Sequence, residues 1–99
     1  MIASVNITHE ATDSGGQYEA RVEDSDASGL LTYQRVDANT VIADRTFVPN
    51  ALRGRGIATA LVKRLIADAV EEGFRIVPQC SFVRASFDRH PEWAELRAD

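Results

Sequence analysis

The chain has few of the features that would take it out of the ordinary run of globular domains. It has one cysteine in 99 residues, so no internal disulfide can form and no cysteine-based metal cluster is available. No apolar run approaches the length of a membrane span, and no basic-then-apolar leader opens the chain. Repeats and low-complexity tracts are absent. Basic charge is not in excess either. Residues 1–52 hold eight acids against three arginines, residues 53–99 hold seven acids against eight bases, and the formal net charge is −4. A nucleic-acid scaffold needs a basic face, which the acidic front half does not provide. Lys63 is the one lysine; the arginine bias of the rest reads as genomic rather than functional. With 44% apolar and 26% charged residues, the expectation is one soluble domain over residues 1–99, cytoplasmic, with no membrane or nucleic-acid partner.

What is present falls into two halves of different period. Ser4–Ala11 alternates weakly and predicts a first strand, followed by a turn cluster at Thr12–Gly16. Gln17–Glu23, Leu30–Val36 and Thr40–Val48 predict three more strands, joined by Asp24–Gly29 and by Asp37-Ala-Asn39. Connections this short favour an antiparallel meander, and Gly29 is a place where a bulge is expected. The period then becomes helical. Ile57, Leu61, Leu65, Ile66, Ala69 and Val70 form an apolar stripe, with Lys63, Arg64, Asp68, Glu71 and Glu72 mainly on the other side. Gly73 suits the helix end, and Phe74–Val77 reads as a short strand stopped by Pro78. Ser81–Arg89 predicts a second helix ended by His90-Pro91, and Pro91–Leu96 one more turn. The predicted class is α+β, with a crossover helix that makes the fifth strand parallel to the fourth.

The segment between the fourth strand and the main helix carries the functional signal. Arg53-Gly54-Arg55-Gly56 places two glycines and two arginines where a strand hands over to a helix N-terminus, a geometry that suits an anion such as phosphate. A Walker A loop requires four residues between its glycines and a following Gly-Lys-Ser/Thr, which is absent. A dinucleotide fingerprint requires a third glycine or alanine where Thr59 stands, and parallel strands before it. A connection that uses glycine for backbone reasons only is the remaining alternative.

Here the sequence resembles the GNAT superfamily of acyl-CoA-dependent N-acetyltransferases. The signature of that superfamily is Gln or Arg, two residues, Gly, one residue, then Gly or Ala. Arg53-Gly54-Arg55-Gly56-Ile57-Ala58 meets it at each specified position. The ending resembles a compact subfamily of about a hundred residues: Cys80-Ser81-Phe82-Val83, then Phe87, then His90-Pro91-Glu92-Trp93. The resemblance implies a compact GNAT fold whose fourth and fifth strands diverge, with the pantetheine arm of acetyl-CoA in the cleft. Thr46, Phe47 and Val48 would pair with that arm and present one N–H to the thioester carbonyl. The N–H groups of Arg53, Gly54, Arg55, Gly56, Ile57, Ala58 and Thr59 would hold the pyrophosphate of coenzyme A, with close approach allowed by the glycines. No metal is implied.

For the chemistry, two residues stand out. Asp44, two and four residues before Thr46 and Val48, is expected on their face, where it would take the amine proton; the alternative is a carboxylate paired with Arg45 or Arg35. Cys80 follows the fifth strand and opens the short helix, whose dipole would lower its thiol pKa. It would protonate the leaving thiolate, hold an acyl group or form a mixed disulfide; the alternative is a small buried cysteine. His9 and Glu23 are weaker candidates, Arg84 and Arg89 read as solvated, and Trp93 and Phe82 as core. Larger members carry a proton-donating tyrosine near the position of Phe87, and subfamily members often have His at the position of Arg45. The extra helices that larger members carry between the first two strands are also missing here, where only Thr12–Gly16 separates them. An open cleft suits an exposed lysine or N-terminus of a protein as acceptor. The other functional class is a CoA-binding sensor or interaction module with little turnover.

Overall fold

The computed structural model describes residues 5–98. Five strands, β1 (Val5–Thr12), β2 (Gly15–Val22), β3 (Ser28–Asp37), β4 (Thr40–Phe47) and β5 (Arg75–Pro78), form one sheet in sequence order. Helix α1 (Ile57–Glu72) connects β4 to β5, and helix α2 (Ser81–Arg89) follows β5. Short 3₁₀ segments occupy Asn50–Leu52 and Pro91–Leu96. The first four strands pair antiparallel and β5 joins β4 in parallel, so the α+β meander-and-crossover architecture is as expected. Ser4, the expected first strand residue, lies outside the described residues. No helix among the described residues is long and apolar enough to cross a membrane.

Alternation decides the two sides of the sheet. Tyr18, Ala20, Leu31, Tyr33, Val41, Ala43 and Ile76 are buried on one side, which α1 covers over β1–β3 and α2 over β4–β5. The other side carries Gln17, Glu19, Thr32, Gln34 and Ile42, with no helix over it among the described residues. Gly29 is not a bulge. It pairs in register with Ala20, and a Cβ there would come within 2.9 Å of Ile57 Cγ2, so the bare backbone lets α1 settle onto β3. The bulges sit at Asp44 and Val36, the extra residues where the β3–β4 register shifts. Gly15 and Gly16 belong to β2 rather than to the first turn. Pro78 ends β5 from within, which an edge strand tolerates because one missing N–H breaks no second ladder. Phe74 stays out of β5 because its N–H still returns to the Ala69 carbonyl of α1.

In α1 the apolar stripe packs as its spacing predicts, with Leu61 and Leu65 fully buried. Two positions reverse. Val70 is 66% exposed, while Asp68 is buried. Asp68 follows Leu61 and Leu65 by seven and three residues, in the middle of the stripe. Its charge is tolerated there because Tyr18 donates its O–H to Oδ2 at 2.8 Å and Arg64 reaches Oδ1 at 3.3 Å.

Candidate functional site

β4 is paired on both edges only in its first half. Thr40–Ala43 pairs with Arg75–Pro78, and the Cys80 N–H then donates to the Ala43 carbonyl at 2.9 Å. Beyond that point the chain turns into α2, and β4 from Asp44 onward keeps β3 as its partner on one edge alone. The bulge decides what faces this split. Thr46 lies opposite the buried Leu31, whereas Asp44 accepts hydrogen bonds from Thr32 and Gln34 on the uncovered side of the sheet. Asp44 therefore does not share a face with Thr46; strict alternation would have placed them together, and the extra residue breaks it.

Cys80 stands immediately before α2 with extended backbone (φ −68°, ψ 134°). Its Sγ lies 3.4 Å from Thr46 Oγ1, which ties the start of α2 to β4 across the split. Burial pushes the thiol up. The Thr46 hydroxyl, the N–H groups of Val83 and Phe82 in the first turn of α2, and the Thr46 N–H outweigh it, and the thiol lies below the ordinary cysteine value. No capping hydrogen bond of full geometry closes from the sulfur, so the N–H groups of α2 act mainly as aimed dipoles. Asp44 is also shifted. Burial raises it, but the hydrogen bonds from Thr32 (2.6 Å) and Gln34 (2.8 Å), its own backbone and the Arg45 charge hold its carboxyl below the usual range. A carboxylate held this way is a weak proton acceptor. Its partners are neutral donors, not the arginines considered from sequence.

From β4 the chain passes through Asn50–Leu52 into the glycine turn. Gly54 and Gly56 adopt φ +80° and +73°, the left-handed region that favours glycine, and a Cβ at either would meet no protein atom within 4 Å. The demand is thus on the backbone, and the space beside it is open. Gly56 is the N-cap of α1 and no side chain caps the helix. Ala60 is the first residue to close a helical bond, onto the Gly56 carbonyl at 3.0 Å, which leaves the N–H groups of Ile57, Ala58 and Thr59 directed out of the helix end. A cavity of about 230 Å³ opens here, reaching from Arg53, Gly54 and Thr59 to Val48 and Phe82.

Of the residues expected to hold a cofactor, Val48, Arg53, Gly54, Gly56, Ile57, Ala58 and Thr59 line this cavity. Thr46 stands apart, at Cys80. Phe47 is 48% exposed and pairs with Leu30, its side chain on the uncovered side. Arg55 turns away to Asp24, at 2.8 Å, and ties the β2–β3 loop to the turn. Phe82, read from sequence as core, packs there and also lines the cavity. His9 lies elsewhere: its ring stacks on Tyr18 (4.3 Å between centroids), and Nε2 is 2.6 Å from the Tyr33 hydroxyl. Arg84 reaches the Pro78 carbonyl, and His90 donates to the Ser86 carbonyl while stacking on Trp93. Sequence reasoning missed the Thr46 hydroxyl as a partner of Cys80 and the Thr32–Gln34 pair that holds Asp44. Neither has a sequence signal, because both pairings cross between strands or elements far apart in the chain.

A family model described as GCN5-related N-acetyl-transferase matches residues 17–96. Protein NATD1 of Xenopus tropicalis is 29% identical over 89 residues, covering 90% of this chain and 80% of that protein. Protein NATD1 of Danio rerio is 32% identical over 81 residues, covering 80% and 74%. The family match runs from β2 to the last 3₁₀ segment and so includes the split in β4, the glycine turn and Cys80. The chain belongs to the GCN5-related N-acetyltransferase family.

Proposed function

We propose that the protein transfers an acetyl group from acetyl-CoA to a primary amine, an exposed lysine or N-terminus of a protein. The observation that carries this reading is the cavity at the uncapped N-terminus of α1, walled by the glycine turn, by Val48 just after β4 and by Phe82 of α2, in a chain of this family. Its residues suit coenzyme A. The open space beside the left-handed Gly54 and Gly56 admits close backbone approach, and the N–H groups of Ile57–Thr59 offer donors and a positive dipole end to a pyrophosphate. Arg53 adds charge, and Val48 and Phe82 supply apolar walls for the pantetheine arm. Acetyl-CoA would supply the acetyl group already activated as a thioester. The Thr46 N–H, turned toward Cys80 by the bulge, is the donor available to a carbonyl oxygen in the split. Cys80, with a lowered pKa and a hydroxyl partner, is suited to give its proton to a departing thiolate. The two-residue turn Asp13–Ser14 between β1 and β2 builds no wall around an acceptor, which supports a macromolecular one.

The test combines calorimetric titration of the purified protein with CoA and acetyl-CoA and a thiol-release assay over lysine peptides, free N-termini and small amines. Binding of both ligands, with thiol release above the no-enzyme rate for at least one amine, is the expected result. Binding without release over the whole panel would instead favour a CoA-binding module. One observation leans that way: Phe87 is buried against Trp93, so α2 presents no tyrosine-like proton donor. Absence of binding would overturn both readings.

A further inference from the structure

The glycine turn hangs between two anchors. Leu52 before it and Ile57 after it are buried, while Arg53, Gly54, Arg55 and Gly56 are all exposed. Both glycines stand in left-handed backbone with open space beside them, so packing does not hold them there. Among the described residues, two backbone hydrogen bonds secure this stretch. The Arg53 N–H donates to the Asn50 carbonyl at 3.2 Å, and the Ala60 N–H to the Gly56 carbonyl at 3.0 Å. Neither bond reaches Gly54 or Arg55 in the middle.

One side chain leaves the turn for another element. Arg55, with a glycine on either side, closes an ion pair on Asp24, Nη1 to Oδ1 at 2.8 Å. Asp24 belongs to the β2–β3 loop, which is itself fastened. The Ala27 N–H donates to the Ser25 hydroxyl at 3.1 Å, and Gly29 then lets β3 pack on Ile57 at the start of α1. The hydrogen bond from Arg55 holds the Asp24 carboxyl below its usual range, so the carboxylate persists toward acid pH. An exposed ion pair adds little to a structure already rigid. This one acts on a turn that is tied only at its ends.

Resting on the acetyl-transfer reading, we propose that Arg55 is a positioning residue: clasped by Asp24, it holds the glycine turn in the shape that receives the pyrophosphate of coenzyme A, without touching the ligand itself. The sign of the Asp24 effect separates this role from a plain charge effect. A carboxylate that merely competed with the phosphates for Arg55 would, once neutralised, leave CoA binding tighter. Loss of a clasp leaves it weaker, whichever partner is removed.

The test titrates CoA calorimetrically into the wild-type protein and into Asp24→Asn, Asp24→Glu, Arg55→Gln and Asp26→Asn. Asp26 is an exposed acid of the same loop that enters no ion pair among the described residues, so its variant measures the bare charge effect. Asp24→Asn is expected to weaken CoA about threefold, the scale of an exposed ion pair, and Arg55→Gln at least as much. Asp24→Glu, which keeps a carboxylate for Arg55, should stay near wild type, and Asp26→Asn should bind no more weakly than wild type. In turnover, Asp24→Asn should raise KM for acetyl-CoA with little change in kcat. Without ligand, backbone nitrogen relaxation should show lower order parameters at Gly54, Arg55 and Gly56 in Asp24→Asn than in wild type or Asp26→Asn. CoA binding by Asp24→Asn as tight as by Asp26→Asn, or unchanged order parameters in the turn, would overturn the proposal. Failure of the wild-type protein to bind CoA would count against the acetyl-transfer reading instead; the relaxation comparison, which needs no ligand, would still decide whether the pair holds the turn.

Discussion

The two ends of α1 treat polar groups in opposite ways. Toward its C-terminal end each buried polar atom is matched. Tyr18 donates to Asp68, Arg64 closes on the same carboxylate and on the Ile7 carbonyl, and His9 joins Tyr33 beside them. Burial, then the hydrogen bond and charge of Asp68, push the Tyr18 phenol far above its ordinary value, so it remains a donor throughout the working pH range. At the N-terminal end the helix has no side-chain cap, two glycines in left-handed backbone, and an open cavity. Among the described residues no buried side-chain nitrogen or oxygen lacks a partner, so the fold meets its internal hydrogen-bonding needs wherever burial requires it. The first end holds the sheet and helix together. The second spends left-handed backbone on a turn whose open side faces outward, which is what a ligand site requires.

The contrast can be broken most severely from the far end. Asp68→Ala leaves the buried Tyr18 hydroxyl and Arg64 without their acceptor and should cost about 2–3 kcal/mol in urea denaturation. CoA affinity of the folded fraction should be unchanged; a stability loss below experimental error would mean the network is ornamental. From the near end, Gly56→Asp strains a left-handed backbone and sets a negative charge at the helix N-terminus. A loss of about 1–2 kcal/mol in stability is expected from the backbone, with CoA binding weakened at least about tenfold from charge and strain together. Equal CoA affinity in a folded variant would detach the turn from the ligand. The mildest change is at the split. Thr46→Val removes the hydroxyl that, with the neighbouring N–H groups, lowers the Cys80 thiol, so the pH midpoint of Cys80 alkylation should move upward from its lowered position. A midpoint that stays put would assign the shift to the backbone N–H groups of α2 and Thr46.

The local order was legible because local rules decide it. Ser81–Arg89 and Pro91–Leu96 follow from the proline that separates them, and Gly73 ends α1 where its pattern stops. The glycine turn was legible for the same reason, since left-handed backbone and a helix start are written into a few consecutive residues. Asp44 was misplaced because a bulge depends on how two strands pair, which neither strand's alternation reveals. Asp68 was misplaced because its charge outweighed its position in the reading, whereas in the fold Tyr18, fifty residues away, makes that position habitable.

By itself, the sequence determined the α+β class, the order of elements, the motif that opens α1 and the resemblance that names coenzyme A as the expected ligand. The first three rest on period, punctuation and spacing, and the last on the likeness of two short motifs to a known family, all of them short-range. Only the tertiary structure decided what the site contains. It brought Cys80 to Thr46 across the split, turned Asp44 onto the uncovered face with Thr32 and Gln34, and directed Arg55 away to Asp24. Each of these pairings joins groups brought together by strand register and helix docking, and register is a property of the assembled sheet rather than of any one segment.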